Sequence, residues 1–156
     1  MKKVLFFIVS LLLPLMASAD AIKINGIYYN LSSSWPYKAE VTSNASDKYT
    51  GDITIPSTVI YGGKTYDVTS IGYYAFGICT GLTSVAIPNS ITSIGQYAFC
   101  NCDNLTDIQI PNSVTSLGAW AFADCDGLIS ATIGHGVTAI DTKTFEDCYH
   151  LRSITS

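Results

Sequence analysis

Beyond residue 67 one arrangement of apolar and polar positions recurs every 23 residues. The segment from Val68 to Ser90 returns from Ile91, from Val114 and, incompletely, from Val137, with no insertion to break the register. Phe76, Phe99, Phe122 and Phe145 share one column, Cys79, Cys102, Cys125 and Cys148 a second, and Leu82, Leu105, Leu128 and Leu151 a third. Within a unit the spacing changes character. Leu82-x-x-Val85-x-Ile87 ends in the alternation of a strand, with Val85 and Ile87 facing inward. Pro88 stops it and Asn89-Ser90 turn the chain. Ile91 and Ile94 point inward from a second extended segment closed by Gly95, and Ala98, Phe99 and Cys102 follow at helical spacing. A fixed period of this length predicts a solenoid in which each unit is one coil stacked on the last. One coil alone buries too little apolar surface to offset a chain entropy of about 1–2 kcal/mol per residue, so stacking must supply the stability.

Residues 20–67 lack this register and predict a β-rich cap. Strands are expected over Ile22–Leu31, Ala39–Thr42, Asp52–Pro56, Thr58–Tyr61 and Lys64–Val68. Gly62-Gly63 has the signature of a two-residue hairpin, because such a turn needs positive φ. Ile55-Pro56-Ser57 echoes Ile87-Pro88-Asn89, so the cap ends in a divergent half-coil. The chain therefore divides into residues 1–19, a cap over 20–67, and repeats at 68–90, 91–113, 114–136 and an incomplete 137–156.

The first nineteen residues are expected to be a cleaved secretory signal. Lys2 and Lys3 precede an apolar run from Val4 to Met16, and Ala17-Ser18-Ala19 supplies small residues for the cut. The run is shorter than the roughly 20 residues of a membrane-spanning helix, and no later segment is apolar for long enough. Removing Lys2 and Lys3 takes the formal net charge from −4 to −6. A chain this poor in clustered Lys and Arg is a weak partner for nucleic acid or an anionic membrane.

The phrase from Ile110 to Leu128, with its Ile-Pro-Asn-Ser-Val, Ala-Phe and Cys-x-x-Leu steps, resembles the BspA-type leucine-rich repeats of bacterial surface proteins. Asn25 to Leu31 and Ile55 to Gly72 are similar to the cap that precedes such repeats. The resemblance implies a leucine-rich-repeat solenoid of short parallel strands, with a short helical turn per coil and an N-terminal β-rich cap. It further implies a secreted or cell-surface protein that binds other proteins and carries no enzymatic activity. The fourth unit departs from the pattern, with Asp141 in place of Gly and Thr144 in place of Ala.

Candidate chemistry is sparse. His135 and His150 are the histidines, and register gives neither a nucleophile nor a carboxylate partner. No metalloprotease, nucleophile-elbow or phosphate-loop motif occurs, so neither catalysis, cofactor nor metal is expected. Four of the five cysteines face the core in one column, predicting buried thiols; a disulfide, or a metal at Cys100-x-Cys102, remains an alternative. Asp103 with Asp126, and Asp124 with Asp147, recur at turn positions and read as solvated turn residues.

Two surfaces are candidates for binding. The outward strand positions Thr83, Ser84, Thr106, Asp107, Gln109, Ile129, Ser130, Thr132 and Arg152 vary from coil to coil while the inward ones do not. Tyr74, Tyr97 and Trp120 form an aromatic row that ends at Lys143. The leading expectation is an extracellular or host protein as partner. The alternatives are a structural spacer or self-assembling module with no ligand of its own, and extracellular glycan binding through the aromatic row. Phe145, Leu151 and Ile154 keep the inward register at the last coil, which implies self-association through it or a longer array.

Overall fold

The computed structural model describes residues 21–156, so the expected signal segment lies outside the described residues. A hairpin of β1 (Ile22–Ile24) and β2 (Ile27–Leu31) opens the cap, and β3 (Lys38–Thr42) pairs antiparallel with β2. The sequence reading took Ile22–Leu31 as one strand. Instead, Asn25 and Gly26 adopt φ of 49° and 89° and reverse the chain, the left-handed pair that a tight hairpin needs and that an Asn-Gly dipeptide supplies. Next come β4 (Gly51–Thr54), β5 (Thr58–Tyr61) and β6 (Lys64–Ile71), the last two joined through Gly62-Gly63 as expected.

Strand β6 crosses from cap to repeats. It pairs parallel with β3 on one side and with β8 (Ser93–Ile94) on the other, and β10 (Ser116–Leu117) follows β8. This continuous sheet is one wall of the solenoid. The facing wall carries two parallel sheets side by side, β4 with β7 (Leu82–Ala86), and β9 (Asp107–Ile110) with β11 (Ser130–Ile133) and β12 (Ser153–Thr155), β7 lying next to β9 without strand pairing. The half-coil inferred from Ile55-Pro56 is real, since Gly51–Thr54 is the first rung of that wall.

The third side is not helical, which corrects the expected short helical turn. Among the described residues there is no helix. Left-handed residues recur every four positions, at Tyr74 and Ile78, Tyr97 and Asn101, and Trp120 and Asp124, with φ of 55–57°. Each costs an L-residue about 1–2 kcal/mol and stops a right-handed helix from propagating. Hydrogen bonding alternates instead. The N–H groups of Gly77 and Cys79 bond three residues back within their coil, while those of Phe76 and Ile78 donate to Ala98 and Cys100 of the next coil, at 2.7 and 2.8 Å. Ala98, Phe99 and Cys102 still face inward and are buried.

Nearly parallel phenylalanine rings fill the space between the walls. Centroids lie 4.8 Å apart for Phe76–Phe99, 5.0 Å for Phe99–Phe122 and 5.4 Å for Phe122–Phe145, and Tyr49 closes the stack 4.7 Å from Phe76. Coils approach closely at the column of Gly72, Gly95 and Gly118. A Cβ on Gly118 would sit 2.4 Å from the Gln96 nitrogen, and one on Gly95 2.7 Å from the Gly72 carbonyl carbon. Gly95 and Gly118 donate to Ile71 and Ile94 of the preceding coil. Asp141 occupies this column in the fourth coil, and there no equivalent bond forms among the described residues and the β6–β8–β10 wall has no further strand. Its Cβ cannot approach that closely, so the coils part on this side.

Phe99 is fully buried between two rings. Phe99→Ala should destabilise the chain by about 3–5 kcal/mol, read by chemical denaturation. An unchanged midpoint would show that the ring column is not what holds the coils together.

Candidate functional site

The strand wall β4–β7–β9–β11–β12 turns its inward positions into the core and its outward positions to solvent. Leu82, Val85, Leu105, Ile108, Ile110, Leu128, Ala131 and Ile133 are buried. Thr83, Ser84, Thr106, Asp107, Gln109, Ile129, Thr132 and Arg152 are exposed and Ser130 is half-buried, so all nine candidate residues lie on one outward face. They form columns across the strands, because register aligns Asp107 with Ser130 and Ser153, and Gln109 with Thr132 and Thr155. Asp52, opposite Ser84, adds a first rung that sequence reasoning left out, although the Ile55-Pro56 echo placed its segment in the repeat.

Two carboxylates on this face are held by hydroxyls. Ser84 and Thr83 both donate to Asp52 Oδ1 at 2.7 Å, and Asp107 accepts from Ser130 and, at 2.9 Å, from Thr106. These bonds favour the ionised form, so Ser84 and then Thr83 hold Asp52 below the usual aspartate range, as Ser130 and then Thr106 hold Asp107. Beside the carboxylate column runs an open groove of about 410 Å³, lined by Ala86, Gln109 and Thr132 on the wall and Asn89, Asn112 and His135 at the turns. The His135 N–H donates to Asn112 Oδ1 at 2.9 Å, continuing the turn column where the sequence changes to Gly-His-Gly.

The aromatic row is placed differently. Tyr74, Tyr97 and Trp120 are half-buried on the shoulder of the third side. Tyr97 and Trp120 stack at 5.3 Å and 9°, and Lys143 Nζ sits 4.6 Å from the Trp120 ring centre. Trp120 Nε1–H donates to Glu146 at 2.6 Å. The faces of Trp120 are thus occupied within the protein, which leaves ring edges rather than the broad faces on which a sugar stacks.

His150 Nδ1 lies 2.7 Å from the Asp126 carbonyl, and among the described residues neither histidine ring is hydrogen-bonded to a hydroxyl, thiol or carboxylate. Among the described residues no group of three or more His, Cys, Asp or Glu is placed to hold a metal ion. All five cysteines are free thiols. The column thiols form a ladder: Cys102, Cys125 and Cys148 donate to the carbonyls of Phe76, Phe99 and Phe122 at 3.2, 3.0 and 2.9 Å. Each of these carbonyls belongs to the preceding coil. Burial pushes the Cys79 and Cys100 thiols up, and thiol neighbours along the column push up Cys125 and Cys148. The thiolate, the reactive species, is therefore scarce at neutral pH.

Matches to known proteins follow this geometry. The BspA type leucine rich repeat region matches residues 69–156 in six copies. A leucine-rich repeat protein from Bacteroides capillosus is 27% identical with a TM-score of 0.74, covering 87% of this chain and 97% of that one. A leucine rich cell surface protein from Faecalibacterium prausnitzii is 28% identical with a TM-score of 0.64. Its match covers 86% of this chain, which in turn spans 42% of that protein. The Leucine Rich Repeat protein of T. pallidum, 20% identical with a TM-score of 0.51, shares the fold over 87% of this chain and 82% of its own. No curated protein matches significantly. No helix among the described residues is long and apolar enough to cross a membrane.

Two measurements check the site chemistry. Alkylating reagents near neutral pH should label none of the column thiols until denaturant is added; native labelling or a disulfide seen by mass spectrometry would contradict the ladder. Asp52 and Asp107 should titrate by NMR below free aspartate. Because their folded values are depressed, the stabilisation they carry is present above the ordinary aspartate range and lost as pH falls through the folded values. Midpoints equal to the free residue would mean the hydroxyl contacts are not kept in solution.

Proposed function

The chain belongs to the BspA-type leucine-rich-repeat family, and on that premise we propose that it is an exported, non-enzymatic binding module that meets a protein partner with its outward strand wall. One observation carries this reading: the wall is a bare sheet face whose outward residues change in chemical character from coil to coil while the inward columns stay apolar. Export rests on the N-terminal signal pattern, and surface display on the similarity to a protein described as a leucine rich cell surface protein. The partner is an extracellular or host protein.

Area limits the strength of such a contact. Five strands about 15 Å long at about 4.8 Å spacing give a projected wall of roughly 360 Å², whereas a stable partner covers about 800 Å² on each side. A single wall binds weakly. Avidity from several copies, or from a longer array, supplies the remainder.

A spacer role is the second reading. It is favoured by the hydroxyls that the wall pairs internally, at Asp52 with Thr83 and Ser84 and at Thr132 with Thr155. The two readings separate in a binding screen of the chain lacking residues 1–19 against extracellular matrix proteins and a glycan array. Capture of a protein should fall at least about tenfold when Thr106→Trp and Thr132→Trp block the wall, with the melting temperature unchanged. Binding that ignores the block would move the contact elsewhere. Capture of nothing would favour the spacer, and capture of glycans alone would favour the third side.

A further inference from the structure

We infer that the wall takes a cationic, extended polypeptide segment lying along the solenoid axis, its backbone in the groove and its basic side chains on Asp52 and Asp107; this rests on the wall being the binding face. Charge is the first observation. Between Lys64 and Lys143 the sequence contains no Lys or Arg, while Asp67, Asp103, Asp107, Asp124, Asp126 and Asp141 fall in that stretch. Among the described residues the ion pair formed is Lys23 with Asp47, in the cap. Asp52 and Asp107 therefore have no protein counter-charge. The one cation on the wall, Arg152, lies on the last rung in the neighbouring column and contacts neither.

Geometry is the second. Asp52 pairs with Ser84, and Asp107 follows Ser84 by one repeat, so the two carboxylates occupy one column two rungs apart. At about 4.8 Å per rung the separation is about 10 Å. One metal ion cannot bridge that distance. A chain in the extended polyproline II conformation, with three residues per turn and a rise of about 3.1 Å, does, because its basic residues at i and i+3 then face the same side about 9 Å apart. Two hydroxyls pin each carboxylate, so little side-chain freedom is lost when a cation arrives.

The groove supplies the track. It starts on the β7 rung, whose Thr83 and Ser84 hold the Asp52 carboxylate, and runs across the strands past Asp107 through Ala86, Gln109 and Thr132, with Asn89 and Asn112 on its far side. Side-chain amides offer both a donor and an acceptor to a peptide backbone. The carboxylate column lies two residues along each strand from the groove, about 7 Å, which a lysine or arginine stem spans.

The probe is acetyl-(Gly-Gly-Lys)4-amide, fluorescently labelled and titrated at low salt against the chain lacking residues 1–19. Its glutamate counterpart and an isomer with adjacent lysines serve as comparisons. The spaced lysine peptide should bind, the glutamate peptide should not, and the isomer should bind several-fold more weakly. Asp52→Asn with Asp107→Asn should weaken binding at least about tenfold, as should raising salt to about 0.5 M. Asp124→Asn with Asp126→Asn, off the wall, should change it less than about twofold. Equal binding of lysine and glutamate peptides, no binding of either, or indifference to the Asp52 and Asp107 changes would overturn the inference. A protein partner from the screen separates the two levels. If the Trp-blocked wall loses that partner and the Asn pair keeps it, the wall reading stands and the cationic partner falls; if neither variant matters, both fall.

Discussion

A coil of this molecule cannot satisfy its own main chain. On all three sides the outward-running N–H and C=O groups find their partners in the coil above or below, and an unpaired buried group costs as much as a lost hydrogen bond. The two walls meet the demand as parallel ladders, apart from the step from β7 to β9. The third side meets it by giving alternate N–H groups to the neighbour. A fixed repeat length follows, because one inserted residue would shift every donor away from its acceptor. Glycine where the coils approach closely follows as well, and so does the break at Asp141. The outward side chains are what this requirement leaves free.

Apolar packing and polar satisfaction are joined in the Phe and Cys columns. Each phenylalanine ring stacks on the next, and the carbonyl of that residue takes the thiol of the following coil. A thiol suits the position because it is nearly as apolar as its surroundings and still carries a weak donor. This explains a cysteine column without disulfides. Thr144 lies in the alanine column that flanks it and is buried with no partner for its hydroxyl, so the fourth coil carries an uncompensated polar group beside the break at Asp141.

Much of this architecture was legible in the sequence. The Phe, Cys and Leu columns, the half-coil at Ile55-Pro56 and the nine outward residues of the wall follow from register alone, because packing fixes inward positions and register then fixes the rest. Local backbone conformation was not legible. The spacing of Ala98, Phe99 and Cys102 fits a helical turn equally well, and nothing in Tyr97 or Trp120 as residue types announces a left-handed φ; inter-coil bonding imposes it. Asn25-Gly26 did carry a readable turn signal, masked by apolar residues on both sides. The groove and the pinning of Asp52 and Asp107 needed the structure, since Thr83 and Ser84 meet Asp52 across more than thirty residues.

The thiol ladder has a consequence for how such a gene changes length. Each coil after the first brings the thiol that its predecessor's carbonyl needs, and each coil before the last the carbonyl that its successor's thiol needs. Recombination that adds or removes a whole 23-residue unit therefore leaves every donor matched, whereas a crossover out of phase strands them all. The same bonding that makes each coil dependent on its neighbours makes the number of coils adjustable, and with it the length of face that the wall presents.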